Sequence, residues 1–158
     1  MLAIRPEFYL FSQDVPDGFF AQQLESTEED RRTAKPTILV VDDQHIIADT
    51  TAEVLNRSGF CAMRAYNGHS ALDMALELKP DYLLTDIMMP GMNGIELAIT
   101  IQQQLPATLI VLFSGQAGIT DILRQAEDNG HEFSLLAKPI HPEKLLEYLK
   151  KKAPQFWP

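Results

Sequence analysis

From Thr37 onward the chain runs in alternating blocks of two kinds. "TILVV" (37–41) is an unbroken apolar, β-branched run, the pattern of a strand covered on both faces. "QHIIADTTAEVLNRSG" (44–59) then carries apolar or small residues at Ile47, Thr51, Val54 and Leu55, a helical spacing closed by Gly59. The two kinds of block repeat. "FCAMRAY" (60–66), "DYLLT" (81–85), "TLIVLF" (108–113) and "FSLLA" (133–137) predict four more strands. "HSALDMALELK" (69–79), "GIELAITIQQQL" (94–105), "ITDILRQAEDNG" (119–130) and "PEKLLEYLKKK" (142–152) predict four more helices. Pro80, Pro106 and Gly130 end the first three of these, and Pro142 opens the last in its first turn. "YNGH" (66–69) has hairpin composition, but helical spacing resumes directly, so it reads as a loop.

Five strands alternating with five helices predict an α/β fold. Parallel strands need crossover connections, and right-handed crossovers put helices on both faces of the sheet. The expectation is a five-stranded parallel sheet, doubly wound, in three layers α/β/α. Residues 1–36 do not share the pattern. They hold two aromatic pairs, Phe8-Tyr9 and Phe19-Phe20, and then a polar run, "ESTEEDRRTAKP". They read as an N-terminal extension and linker, its aromatic part either disordered or a short docking helix. The domain proper is expected over 37–152, with a C-terminal tail at 153–158.

Composition narrows the function classes. A net charge of −9 opposes binding to nucleic acid or anionic membrane, since phosphate backbones need a basic face. Cys61 is the only cysteine, so no internal disulfide forms and a reducing cytoplasm fits. No apolar run reaches the roughly 18 residues of a membrane span. The start of the chain is broken by Arg5, Pro6, Glu7 and Asp14, which makes a poor signal peptide.

In an open α/β sheet, ligands bind beyond the carboxyl ends of the strands. The first strand ends in Asp42-Asp43, the third in Asp86, the fourth in Ser114-Gly115 and the fifth in Lys138-Pro139. Each residue alone has an ordinary reading: a helix cap for the acid pair, a turn cap for Asp86, a loop serine, a solvated lysine. All of them at matching strand ends point to a site. Three converging carboxylates repel one another and call for a cation. All-oxygen ligation with positions left open suits Mg²⁺ better than Ca²⁺. Ser114 and Lys138 supply a donor and a positive charge for the oxygens of a phosphoryl group.

"ILVVDDQ", "LLTDIMMPGMNG", "VLFSG" and "LLAKPI" resemble, in order and spacing, the motifs of two-component response-regulator receiver domains, over about Thr37 to Lys151. The resemblance implies a CheY-like, flavodoxin-like fold and phosphorylation by a sensor histidine kinase or a phosphotransfer protein. It implies that Asp86 is the phosphoacceptor and that Asp42, Asp43, Asp86 and the backbone carbonyl of Met88 hold Mg²⁺. It implies that Ser114 is the switch hydroxyl, that Lys138 pairs with the phosphoryl group, and that the Lys138–Pro139 bond is cis. Such a domain catalyses only its own phosphorylation and dephosphorylation. Two features depart from the family pattern. The aromatic residue often found three positions before the lysine is Leu135 here, with Phe133 two residues earlier on the same strand face. The chain also ends at Pro158, just past the fifth helix, so output is expected through contact with a protein partner or from the N-terminal extension, as a monomer or a weak dimer through the helix-four/strand-five/helix-five face.

Three other readings compete. A haloacid-dehalogenase-type phosphatase also uses an aspartyl phosphate, but it wants a second acid two residues on, where Met88 stands. A flavodoxin-like mononucleotide binder wants a Ser/Thr/Gly-rich loop after the first strand, where Asp42-Asp43 would repel phosphate. A scaffold receiver that is never phosphorylated would not need its acids, serine and lysine intact. His45, His69, His131 and His141 are dispersed and read as surface or cap residues.

Overall fold

The computed structural model describes residues 34–115, 119–131 and 133–157. The aromatic pairs at Phe8 and Phe19 and loop positions 116–118 lie outside the described residues. Strands β1 (Thr37–Val41), β2 (Cys61–Ala65), β3 (Tyr82–Asp86), β4 (Leu109–Ser114) and β5 (Ser134–Ala137) alternate with helices. The helices are α1 (His45–Arg57), α2 (Gly68–Leu78), α3 (Gly94–Gln104), α4 (Ile119–Asp128) and α5 (Pro142–Lys152). All strands are parallel, in one sheet of order β2-β1-β3-β4-β5. The predicted α/β class is the observed one.

Burial follows strand position. Every residue of β3 is buried, as are four of the five in β1, because both are flanked by strands and covered on both faces. The edge strands β2 and β5 keep exposed positions. Successive side chains of a strand point to opposite faces, so the core divides in two. Ile38, Val40, Tyr82, Leu84, Val111 and Phe113 pack under α1 and α5, against Leu55, Leu145 and Leu149. Leu39, Val41 and Leu83 pack under α2 and α3, against Ala71, Ala75, Leu97 and Ile101. Leu112 and Ile87 extend that second layer toward Ala126 of α4.

Several strand ends differ from the sequence reading by one residue, Phe133 falls just outside β5, and two of the carboxyl ends bear on the site. β3 and β4 each run one residue further, through Asp86 and Ser114. The ladder persists there because the Ile87 N–H donates to the Phe113 carbonyl at 3.2 Å. A polar side chain does not end a strand whose backbone still has a partner. The acid and the hydroxyl therefore sit on rigid backbone, not in the loops.

The amino ends of the strands are tied together at the opposite edge. Asp81 Oδ2 accepts from the Thr37 N–H at 2.8 Å and the Thr37 hydroxyl at 3.0 Å. The Thr108 hydroxyl donates to the Pro80 carbonyl at 2.8 Å. After α5 a short 3₁₀ turn (Pro154–Phe156) brings Trp157 edge-on to Phe60, with ring centroids 4.8 Å apart. Gly59, just before β2, takes φ +98°, the left-handed conformation that favours glycine. Among the described residues, no helix is long and apolar enough to cross a membrane.

Candidate functional site

The chain leaves β1 for β2 on one side and returns through β3 on the other. This reversal opens a crevice at the carboxyl ends of β1 and β3. Asp42 and Asp43 come directly after β1, and Asp86 closes β3. One carboxylate oxygen from each of the three lies within 4.8 Å of the others. The sequence places these acids at one edge, and the structure brings them together.

Asp42 is almost fully buried and tightly held. Its N–H donates to the Ala65 carbonyl at 3.2 Å, and its Oδ1 accepts from the Gln44 N–H at 2.9 Å. Its Oδ2 accepts from Lys138 Nζ at 2.6 Å. The same ammonium stands 3.7 Å from Asp86 Oδ1. Lys138 is itself anchored: its backbone N–H donates to the Ser114 carbonyl at 2.8 Å, and the bond to Pro139 is cis. Lys138 thus bridges two carboxylates whose mutual repulsion is otherwise uncompensated.

Burial raises the pKa of Asp86 above its ordinary value. The neighbouring charge of Lys138 pulls it down, and the charge of Asp42 pushes it up again. The turn into α3 fixes the Asp86 backbone. The Gly94 N–H donates to the Ile87 carbonyl at 2.9 Å. A Cβ at Gly94 would stand 2.0 Å from the Asp86 carbonyl oxygen, so only glycine lets α3 begin against the acid. The turn passes through Gly91 at φ +74°. The chain "MMPGMNG" is therefore a compact reversal that seats the first turn of α3 on the end of β3.

The cleft above the acids has a volume of about 310 Å³ and is lined by Asp43, Gln44, Ile47, Asp86, Met88, Ser114, Gly115 and Lys138. Met88 lines it and is exposed, and Met89 is buried in the cluster of Leu97 and Ile101. Ser114 is buried at the strand end. Leu135 is 44% exposed, whereas Phe133 packs toward Leu112 and Ala126. The histidines stand apart from the cleft chemistry: His45 stacks on Tyr66, His131 bonds Gln102, and His141 caps α5. One residue escaped the sequence reading. Phe113 lies directly opposite Asp86 in the β3/β4 register, and its ring centroid is 5.2 Å from Lys138 Nζ. Its place immediately before Ser114 was the available signal, but an apolar residue there reads first as core.

The family model for the response regulator receiver domain matches residues 38–150. The sporulation initiation phosphotransferase F of Bacillus subtilis is 32% identical over 117 residues, covering 74% of this chain and 93% of that protein. The DNA-binding response regulator MtrA of Mycolicibacterium smegmatis is 32% identical over 114 residues, and this chain spans about half of its length, 49%. Among solved structures, a CheY-like receiver domain protein from Methanospirillum hungatei superposes with a TM-score of 0.70 at 26% identity, over 78% of this chain and 97% of that one. Chemotaxis protein CheY4 of Vibrio cholerae superposes at 0.65 and 28% identity, over 75% and 98%.

Proposed function

The chain belongs to the response regulator receiver domain family, and from that premise we propose that Asp86 accepts a phosphoryl group from a sensor histidine kinase or phosphotransfer protein in a Mg²⁺-dependent reaction. The observation that supports this best is the Lys138 ammonium poised between the Asp42 and Asp86 carboxylates over an open cleft. It is a cation within reach of any group bonded to Asp86.

Asp42, Asp43 and Asp86 offer only hard oxygen donors, which fits Mg²⁺, and the Met88 carbonyl would complete the protein's share of ligands. Bound there, the cation supplies charge neutralisation among the carboxylates and on the phosphoryl oxygens. The residues of the chain do the rest. An Asp86 carboxylate oxygen attacks phosphorus in line, and the bond from phosphorus to the donor imidazole nitrogen breaks with its electron pair on nitrogen. Lys138 turns from Asp42 toward a phosphoryl oxygen, and the Ser114 hydroxyl donates to another. Hydrolysis by water later restores the Asp86 carboxylate. No other substrate is turned over, so the chain is a signalling domain and not an enzyme in the usual sense.

The likeness to a sporulation phosphotransferase suggests a place within a phosphorelay. Output passes through contact with a protein partner, in the cytoplasm, with the face of α4, β5 and α5, where Leu135 is exposed, as the surface for that partner or for a weak dimer. With Mg²⁺ and acetyl phosphate, intact mass should rise by one phosphoryl group in the parent and not in Asp86→Asn. The gain should vanish when a chelator removes the metal. Equal gains in parent and variant would remove Asp86 from this role.

A further inference from the structure

Lys138 has a third partner besides the two carboxylates. Its side chain is only 18% exposed, and its ammonium lies 5.2 Å from the centroid of the Phe113 ring. That is within the roughly 6 Å range of a cation–π contact. We propose that Phe113 is a positioning residue for the phosphoryl chemistry at Asp86: its ring holds the Lys138 ammonium over the carboxylates and keeps it out of the apolar groove beside the site. The proposal rests on the receiver reading above, because it acts through the lysine that reading assigns to the phosphoryl group.

Lys138 has two unlike sides. On one side stand Asp42 Oδ2 at 2.6 Å and Asp86 Oδ1 at 3.7 Å. On the other, a groove of about 510 Å³ opens between α1 and the start of α5, lined by Ile47, Val54, Ile140 and Leu145 among others. Lys138 and Phe113 both belong to its wall. A lysine carries a long apolar stem that favours such a surface, so without a ring at this place the side chain has a competing position along the groove. Phe113 is well placed to prevent that. It is 8% exposed and packed in the layer under α1 and α5. Its carbonyl holds the Ile87 N–H, next to the acceptor itself. The ring is thus fixed to the same two strand ends that fix Asp86, and it offers the ammonium a negative π face where no carboxylate reaches.

The role matters most when the ammonium must leave Asp42. Asp42 would be among the residues holding a cation at this site, and Lys138 would then leave it for a phosphoryl oxygen. A diffuse π face permits that shift while still restraining the ammonium, which a single directed hydrogen bond does not. Leucine at the position would fill the core similarly but offer no such attraction.

The test uses the full chain with Mg²⁺ and acetyl phosphate. The Asp86–phosphorus bond forms as the phosphorus–oxygen bond to acetate breaks, and the product is read by intact mass. Phe113 is replaced by mono-, di- and trifluorinated phenylalanine, which weaken the ring's quadrupole at nearly constant shape, and separately by Leu and by Tyr. The second-order rate constant for phosphorylation should fall stepwise along the fluorinated series, by about threefold to tenfold at its end. It should fall at least as far in Phe113→Leu, and stay within about twofold of the parent in Phe113→Tyr, with the folding midpoint unchanged along the fluorinated series. A parent that phosphorylates at a rate indifferent to the series overturns this role alone. So does a rate lost equally in Leu and Tyr. A parent that takes up no phosphoryl group overturns the receiver chemistry and this role with it.

Discussion

Burial of Asp86 at the end of β3 raises its pKa above the ordinary 3.8, chiefly through lost solvation, with Lys138 opposing the shift. The folded protein therefore holds the Asp86 proton more tightly than the unfolded chain does. Ionising Asp86 costs stability, and that cost is present in full above the raised folded value. It diminishes as pH falls through that value, and it is gone below the ordinary aspartate range, where both states are protonated. Asp86→Asn lacks the cost. Without divalent cation, the variant should melt higher than the parent at neutral pH, and the gap should close on acidification toward pH 3.8. Melting curves that stay a constant distance apart across this range would show that the site does not penalise the charge. In the proposed reaction the same side chain must be ionised to attack phosphorus, and a cation held beside it would offset that cost.

Among the elements, α3 has the tightest link between local sequence and site. Asn93 is its N-cap, with Oδ1 accepting from the Ile95 and Glu96 N–H groups, both at 2.9 Å. Glu96 Oε2 reaches back to accept from the Asn93 N–H at 3.0 Å, completing a capping box. The helix so fixed begins at Gly94, against the Asp86 backbone. Asn93→Ala should cost about 1 kcal/mol in urea denaturation. Adding Glu96→Ala should cost little more, because the two side chains form one reciprocal unit. Full additivity of the two losses would mean that the box does not act as a unit. By contrast α1 has Gln44 as its N-cap with no side-chain cap bond, and its start is organised by Asp42, whose Oδ1 accepts from the Gln44 N–H. A residue of the candidate metal site thus also shapes the start of a helix.

Across the described molecule, the two edges of the sheet have different duties. The carboxyl edge gathers charge, and the amino edge is closed by packing. Ala153 is fully buried, and Trp157 covers Phe60 while the Lys150 ammonium lies 4.7 Å over its ring. Tyr82 ties the same region to α5, its hydroxyl donating to the Leu149 carbonyl at 2.9 Å. Trp157→Ala should therefore destabilise the fold by about 2 kcal/mol, below the roughly 3–5 kcal/mol for a fully buried aromatic because the ring keeps some exposure. Circular dichroism would measure it, since the chain has one tryptophan and the variant has none. Phosphorylation of Asp86 should survive at temperatures where the variant is folded. Loss of phosphorylation without loss of structure would mean that the two edges communicate.

Among the described residues, the alternation of apolar runs and helical spacing was enough to read the α/β class, the succession of strands and helices, and the edge on which Asp42, Asp43, Asp86, Ser114 and Lys138 fall. Periodicity records burial locally, so a strand such as Thr37–Val41, buried on both faces, is legible without its neighbours. The ends of β3 and β4 were less legible, because whether Asp86 and Ser114 stay in the ladder depends on backbone partners from another strand. The order β2-β1-β3-β4-β5 and its register belong to the same category. They decide that Lys138, 96 positions from Asp42, lands 2.6 Å from it, and that Phe113 faces Asp86 and supports that lysine. Residue types and spacing set which chemistry was available. Only tertiary structure set the distances, because side chains far apart in the chain meet through packing and strand pairing, which local pattern does not encode.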